Sequence, residues 1–229
     1  MKSSVILTTI NNNPHYQNTL KVFLQSLKEN APEEFVKIFL VNNKKSFGDR
    51  LKKINSNIEI KHVYKDLTPS RLINKRALYC YTALGDGHKK VAWMDNDIII
   101  RGKLGDFWKI KPDELKIVFK RKKKDKLKFQ GGVVVFGNCG EMKRYFWACV
   151  KATVEIDRVI INRNYNWYGG QRVMYKLFLE YKLRQVDMSK KYNDCKFKGN
   201  SVIWHCKSSH FDDPKFREEF NGYLFKANN

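Results

Sequence analysis

Two carboxylates two residues apart stand between apolar runs in Val91-Ala92-Trp93-Met94-Asp95-Asn96-Asp97-Ile98-Ile99-Ile100, and the rest of the chain is arranged around that stretch. The entry run is short and bounded upstream by Gly85-Asp86-Gly87, the signature of a buried strand. Buried parallel strands of α/β sheets have this continuous apolar character, and such sheets bind ligands beyond the carboxyl ends of their strands. In an extended segment, side chains at i and i+2 share a face, so Asp95 and Asp97 can aim at one ligand. Adjacent carboxylates repel unless a positive charge sits between them, and a hard divalent cation is the usual partner. With 13 Asp in 229 residues, chance alone supplies roughly 0.7 Asp-x-Asp triplets. The apolar frame around this one, and the motifs downstream of it, therefore carry the meaning; the bland alternative is a pair of strand-end caps.

Taken in order, Ser4 to Ile10 reads as a first strand and Asn11-Asn12-Asn13-Pro14 as a turn. A helix from about Tyr16 to Lys28 carries Leu20, Phe23, Leu24 and Leu27 on one face. Strands over Phe35 to Val41 and Ile58 to Tyr64 flank a short helix around Asp49 to Ile54. Thr68-Pro69 supplies an N-cap and a first helical position for a helix to about Leu84 carrying Arg71, Lys75 and Arg76. This alternation of strand and helix predicts a mainly parallel sheet covered by helices, an α/β fold. The second half is less regular. Lys116 to Lys120 and Gly132 to Phe136 read as strands around the basic run Lys120 to Lys128, ordinarily a solvated loop. Met142 to Val154 and Gly170 to Tyr181 read as helices, Ser201 to His205 as a last strand, and Pro214 to Phe225 as a terminal segment. The absence of an internal repeat or a linker-like composition shift predicts one domain over residues 1–229.

Hydrophobic residues make up 42% of the chain and aromatics 14%, which argues against disorder. No apolar run is long enough to cross a bilayer, and Ser3 to Ile10 is too short for a signal peptide. Cys80, Cys139, Cys149, Cys195 and Cys206 are odd in number and show no paired metal spacing, so free thiols and a cytoplasmic location are expected. The balance of 45 Lys+Arg against 23 Asp+Glu, formally +22, implies attraction to polyanions: nucleic acid, anionic membrane or phosphorylated small molecules.

Motif order is more informative. Asp97 is followed by Ile98-Ile99-Ile100, a polar turn and Leu104-Gly105-Asp106-Phe107. Then come Gln130-Gly131-Gly132-Val133, Trp167-Tyr168-Gly169-Gly170-Gln171 and Ile203-Trp204-His205. This succession resembles the GT-A (Rossmann-like) glycosyltransferases, and most closely the glycogenin-like retaining group. In that group an Asp-x-Asp ends a strand, an Asn-x-Gly-Val strand and an Asp-Gln pair opening a helix come next, and a late strand ends in His. Thr8-Thr9-Ile10-Asn11 followed by Tyr16 looks like that group's nucleotide-contacting first loop. The size, and the missing membrane anchor, are similar to soluble glycosyltransferases encoded by large algal DNA viruses. Two positions depart from the pattern: Gln130 stands for the Asn, and Gly170 for the Asp before Gln, which removes a carboxylate.

The resemblance implies a metal-dependent hexosyl- or deoxyhexosyltransferase taking a UDP-linked nucleotide-sugar donor and a glycan or glycoprotein acceptor. A nucleotide-binding half of about 1–100 and an acceptor half of about 101–229 go with it. It also implies that Asp97 and His205 bind the metal directly, with Asp95 on the metal or the ribose. Mn²⁺ suits two carboxylates and one imidazole at least as well as Mg²⁺. His210 is a rival ligand. Thr8, Thr9, Asn11, Tyr16, Asn96, Gln130 and Gly131 would contact the donor, and Arg71, Lys75 and Lys207 its diphosphate. Gln171 would stand beside the anomeric carbon, with Glu155 or Asp157 as carboxylates that could substitute for the missing one. A basic nucleic-acid-binding protein without catalysis is the alternative, although no helix-turn-helix, zinc-finger or RNA-recognition signature is present. A haloacid-dehalogenase-like phosphatase also uses Asp-x-Asp after an apolar strand, but on the first strand rather than near residue 95.

Overall fold

A computed structural model describes residues 3–64, 75–119, 129–159, 163–181, 183–206 and 211–229, with 119, 156–159 and 163–169 described through their backbone. The chain opens with β1 (Ser4–Ile10), whose core residues Val5, Ile6 and Leu7 are fully buried. Helix α1 (Pro14–Asn30) starts where Asn13 caps it: its side chain accepts from the His15 N–H at 2.9 Å, and Pro14 takes a position whose N–H has no helical partner. Every residue of β2 (Val36–Val41) is buried, as expected of a strand covered on both faces. It is followed by α2 (Lys45–Ile54) and by β3 (Ile58–Val63), which lies parallel to β2 from Val36↔Ile58 to Val41↔Val63. Half-exposed β3 carries Glu59 and Lys61 along its length, the charged dress of an edge strand.

Helix α3 (Arg76–Gly85) leads to β4 (Lys90–Met94), which ends one residue before Asp95 and runs parallel to β1 from Ser4↔Lys90 to Leu7↔Trp93. The Ile98–Ile100 run is a strand in its own right, β5. Then come β6 (Glu114–Phe119), β7 (Phe129–Gly137), α4 (Gly140–Val159), α5 (Arg163–Tyr181) and β8 (Arg184–Asp187). The chain ends with β9 (Ile203–His205) and α6 (Pro214–Asn228), the latter capped by the Asp213 carboxylate. Among the described residues, seven strands form one sheet in the order β3-β2-β1-β4-β7-β6-β8, and β5 and β9 form a second. The mainly parallel α/β sheet expected from the sequence is therefore present. Three features differ from expectation. β5 is a paired strand rather than only an apolar exit, and β8 is a strand that the sequence pattern does not announce. Helix α5 begins at Arg163, so Gly170-Gln171 lies well inside it instead of opening it. No helix among the described residues is long and apolar enough to cross a membrane.

The chain divides into two compact units: Met1–Leu7, Asp66–Trp93 and Trp108–Met188 in one, Thr8–Lys65, Met94–Phe107 and Ser189–Asn229 in the other. In the first unit β6 pairs antiparallel with β7 and parallel with β8. Phe136 and Phe146 meet at 4.4 Å between centroids, Phe129 packs on Phe178, and the buried Tyr145 hydroxyl donates to the Met174 carbonyl at 2.8 Å, joining α4 to α5. In the second unit the short β5–β9 pair could not stand alone, since a two-stranded sheet is marginal in water. It is held by a core of Val22, Ile99, Phe197, Trp204, Cys206 and Phe216, against which Phe220, Tyr223 and Leu224 of α6 also pack. Arg101 closes this core from outside, with its guanidinium 3.9 Å above the Trp204 ring and its Nε donating to Glu219 at 2.9 Å.

Candidate metal centre

Strand register brings the chemistry-bearing groups together. Asp95-Asn96-Asp97 is the link between the end of β4 and the start of β5. β5 pairs antiparallel with β9, with Ile98 opposite His205, so Asp97 and His205 become neighbours although 108 positions separate their numbers. The main chain pins this juxtaposition: the Cys206 N–H donates to the Asp97 carbonyl at 2.8 Å, and the His205 N–H to the Asp194 carbonyl at 2.9 Å. His205 Nε2 lies 3.3 Å from Asp97 Oδ1 and 3.8 Å from Asp95 Oδ2. One ligand atom from each of Asp95, Asp97 and His205 falls within 4.8 Å of the others.

Electrostatics explain what this geometry suits. His205 is buried, which alone would push its imidazole down; the Asp97 carboxylate, helped by a hydrogen bond with Cys195 and by Asp95, reverses this and raises it to about 10. Two carboxylates thus make a buried position that favours positive charge. Asp97 Oδ1 is buried and makes no hydrogen bond among the described residues, its 3.3 Å approach to the imidazole being an ionic contact. In the metal-free protein the protonated imidazole offsets these carboxylates, and a divalent cation could take over that role. Hard oxygen donors with one imidazole fit Mn²⁺ or Mg²⁺. The other imidazole nitrogen, Nδ1, is 2.7 Å from the Asn193 side-chain oxygen.

Several other sequence candidates lie in the same unit. Asn96 donates to the Thr9 carbonyl at 3.3 Å and receives the Thr19 hydroxyl at 3.4 Å, which ties the acidic link to β1 and α1. Burial first, and the Asp97 carboxylate second, push the Tyr16 phenol up, so it stays a proton donor beside the acidic pair. The buried Thr8 hydroxyl has no hydrogen-bond partner among the described residues, whereas Thr9 spends its hydroxyl on the Phe39 carbonyl of β2 at 2.9 Å. Asn11 accepts from the Asn13 N–H at 3.1 Å and shapes the turn into α1.

A second polar cluster sits in the other unit. Arg76, at the start of α3, is buried, spreads its guanidinium 4.9 Å from the Trp93 ring centroid, and donates to the Gly131 carbonyl. A Cβ on Gly131 would fall 2.6 Å from Arg76 Nη1 and 3.1 Å from Gln171 Cγ and Cδ, so a larger residue there would have to push these side chains aside. Gln171 and Gly131 are thus brought together, with Gln130 beside them on β7 and Lys75 in the turn before α3. Sequence reasoning places Arg76 on this helix but favours Arg71 and Lys75; it misses Asn193 entirely, because no short-range pattern links that residue to His205. Asp157 lies on α4 in the stretch described through its backbone, and Arg71, Lys207, His210 and the run 120–128 lie outside the described residues.

No family model and no curated protein sequence matches this chain. Its fold is similar to that of solved glycosyltransferases. The apo form of the glycosyltransferase GlyE of Streptococcus pneumoniae TIGR4 superposes with a TM-score of 0.68 at 12% identity over 98% of this chain. A second GlyE structure gives 0.64 at the same identity. In both cases the chain spans 60% of the length of GlyE. The galactosyltransferase LgtC, in complex with donor and acceptor sugar analogs, gives 0.61 at 12% identity, covering 97% of this chain and 95% of LgtC. At such identity the likeness shows the fold, the GT-A type expected from the motif order.

Proposed function

We propose that this chain is a metal-dependent glycosyltransferase moving a sugar from a nucleotide diphosphate sugar, UDP-linked, to a glycan or protein acceptor with retention of configuration. The observation that carries the reading is the convergence of Asp95, Asp97 and His205 at the end of a buried strand. The fold shared with glycosyltransferases is consistent with it. In this reading the chain acts as one catalytic domain in the cytoplasm, its nucleotide-binding half about 1–100 and its acceptor half about 101–229.

Breaking the sugar–phosphate bond leaves a nucleoside diphosphate with growing negative charge. A divalent cation at this centre would neutralise that charge as a Lewis acid, without a proton transfer. The chain's own part is to hold and orient. Asp97 and His205 would supply direct ligands to the cation, and Asp95 a third or a ribose contact. Asn96, bonded to β1 and α1, fixes the link on which both carboxylates ride. The neutral Tyr16 phenol offers a hydrogen bond to the nucleotide. Gln171 is assigned to the reacting carbon, with Asp157 as the carboxylate alternative, and Gln130 and Gly131 to the sugar.

The test is calorimetric titration of UDP and other nucleoside diphosphates into wild type and Asp97→Asn, each with Mn²⁺ and with chelator. Asp97→Asn keeps shape but removes one of the few charges that can hold the cation. Metal-dependent binding in wild type, with at least a tenfold loss in Asp97→Asn, is expected. Binding indifferent to metal, or fully kept by Asp97→Asn, would sink the proposal.

A further inference from the structure

An imidazole can ligate a cation through one nitrogen only if that nitrogen carries no proton, and what the other nitrogen bonds decides which one that is. In His205 the nitrogen facing the carboxylates is Nε2, at 3.3 and 3.8 Å from Asp97 and Asp95. Nδ1 faces the Asn193 side-chain oxygen at 2.7 Å, inside the protein. Both residues are buried, so water does not compete for this bond. An oxygen that can only accept makes Nδ1 the donor, so the proton that a cation displaces from the imidazolium is the one on Nε2, and the lone pair then falls there.

The chain spends several bonds on keeping Asn193 there. Its own N–H donates to the Lys190 carbonyl at 3.1 Å, ending a 3₁₀ turn over Lys190–Tyr192. The next residue, Asp194, bridges Trp204: its N–H donates to the Ile203 carbonyl at 3.1 Å, and its carbonyl receives the His205 N–H at 2.9 Å. Residue 193 is thereby seated alongside residue 205. The Asp194 carboxylate then gathers the following loop, accepting from the Lys196 and Lys198 N–H groups at 2.8 Å each and from the Ser201 hydroxyl at 2.6 Å. The amide of Asn193 also carries no charge. It orients the imidazole without adding a third negative group to the two carboxylates already there.

We propose that Asn193 is the positioning residue of the metal centre: it holds His205 as the Nδ1–H tautomer, with Nε2 directed at the cation between Asp95 and Asp97. This rests on the metal-dependent reading of the centre and assigns a residue that takes no part in ligation itself. Asn193→Ala removes the acceptor and frees the ring to rotate or to protonate Nε2. Asn193→Asp restores an acceptor that cannot turn a donor toward the ring.

The experiment is titration of Mn²⁺ alone, without nucleotide, into wild type, Asn193→Ala and Asn193→Asp, with the metal-free melting temperature of each recorded in parallel. Asn193→Ala should bind Mn²⁺ about 10–100-fold more weakly, the usual cost of losing such an outer partner. Asn193→Asp should bind within about threefold of wild type or more tightly, because a carboxylate acceptor makes the imidazole a better donor of electrons to the metal. Equal weakening in both variants would mean that the side chain matters only for packing, and would overturn the assignment. So would Asn193→Ala binding within twofold of wild type. If wild type itself binds no Mn²⁺, the metal-centre reading fails and this inference with it. If wild type binds and Asn193→Ala is unaffected, only the inference falls.

Discussion

His205 carries the sharpest consequence at the scale of single residues. Its imidazole is raised from an ordinary 6.5 to about 10, with burial opposing and Asp97, then a hydrogen bond with Cys195, then Asp95 driving the change. A folded-state value above the unfolded one means that the proton stabilises the fold. In the metal-free protein this stabilisation is fully present below pH 6.5 and is lost as pH rises through about 10. A cation on Nε2 must displace the same proton, so metal binding below that range releases it, and affinity should rise by up to about tenfold per pH unit. Mg²⁺ titrations at pH 6.5, 7.5 and 8.5 in buffers of differing ionisation enthalpy measure both the trend and the proton released. A pH-independent affinity with no proton release would show that His205 does not ligate. The acidic pair and His205 are legible in the sequence because each ends or succeeds an apolar run. Asn193 and Arg76 are not. Asn193 meets His205 only through the Asp194–Trp204 bridge, and Arg76 meets Gly131 only once the chain has folded.

Among the elements, the short β5–β9 pair does the positioning, and it is the part the sequence conceals most. Ile98-Ile99-Ile100 and Ile203-Trp204-His205 are each apolar enough to be strands, but nothing in their order says that they pair with each other. The pairing arises from a shared core, not from local propensity: three residues a side have few backbone bonds to offer. Helix α5 departs from expectation for a related reason. A glycine pair costs a helix interior about 1 kcal/mol per residue, so Gly169-Gly170 reads as a start, yet the helix runs through from Arg163. Packing overrides propensity there, with Gly170 buried. The dependence of β5–β9 on its core can be measured. Phe216 of α6 is 1% exposed and stacks near Phe197 at 5.1 Å between centroids. Phe216→Ala should cost about 3–5 kcal/mol, read as a lower urea midpoint, and should weaken Mn²⁺ binding without touching a ligand. Stability lost with Mn²⁺ affinity unchanged would show that the His205–Asp97 juxtaposition does not need this core.

For the whole molecule, the sequence pattern of alternating strands and helices anticipates the α/β class, while the strand order and the antiparallel β6–β7 half need the structure. The formal charge of +22 is ambiguous between a polyanion-binding surface and a built site for a small phosphorylated ligand. The two respond differently to salt. A surface that neutralises six to ten DNA phosphates loses about 10³–10⁵ in affinity between 50 and 200 mM salt, because the bound counterions it displaced are returned. A nucleoside diphosphate brings only two phosphates, and the divalent cation offsets most of their charge, so few counterions are exchanged when it binds. Its contacts lie within a few ångströms, well inside the Debye length of about 8–10 Å, so the same change in salt should cost only a few-fold. Lys45, Arg50, Lys52 and Lys53 on α2 are exposed, and such cations attract DNA at low salt without any specific site. The discriminating measurement is therefore the pair of slopes, for UDP with Mn²⁺ and for an arbitrary duplex, over 50–200 mM KCl in wild type. A steep DNA slope beside a shallow, chelator-sensitive UDP slope is the expected result. Were UDP binding to collapse in step with DNA binding and to ignore chelator, diffuse charge would account for both, and the acidic centre would have no ligand to explain.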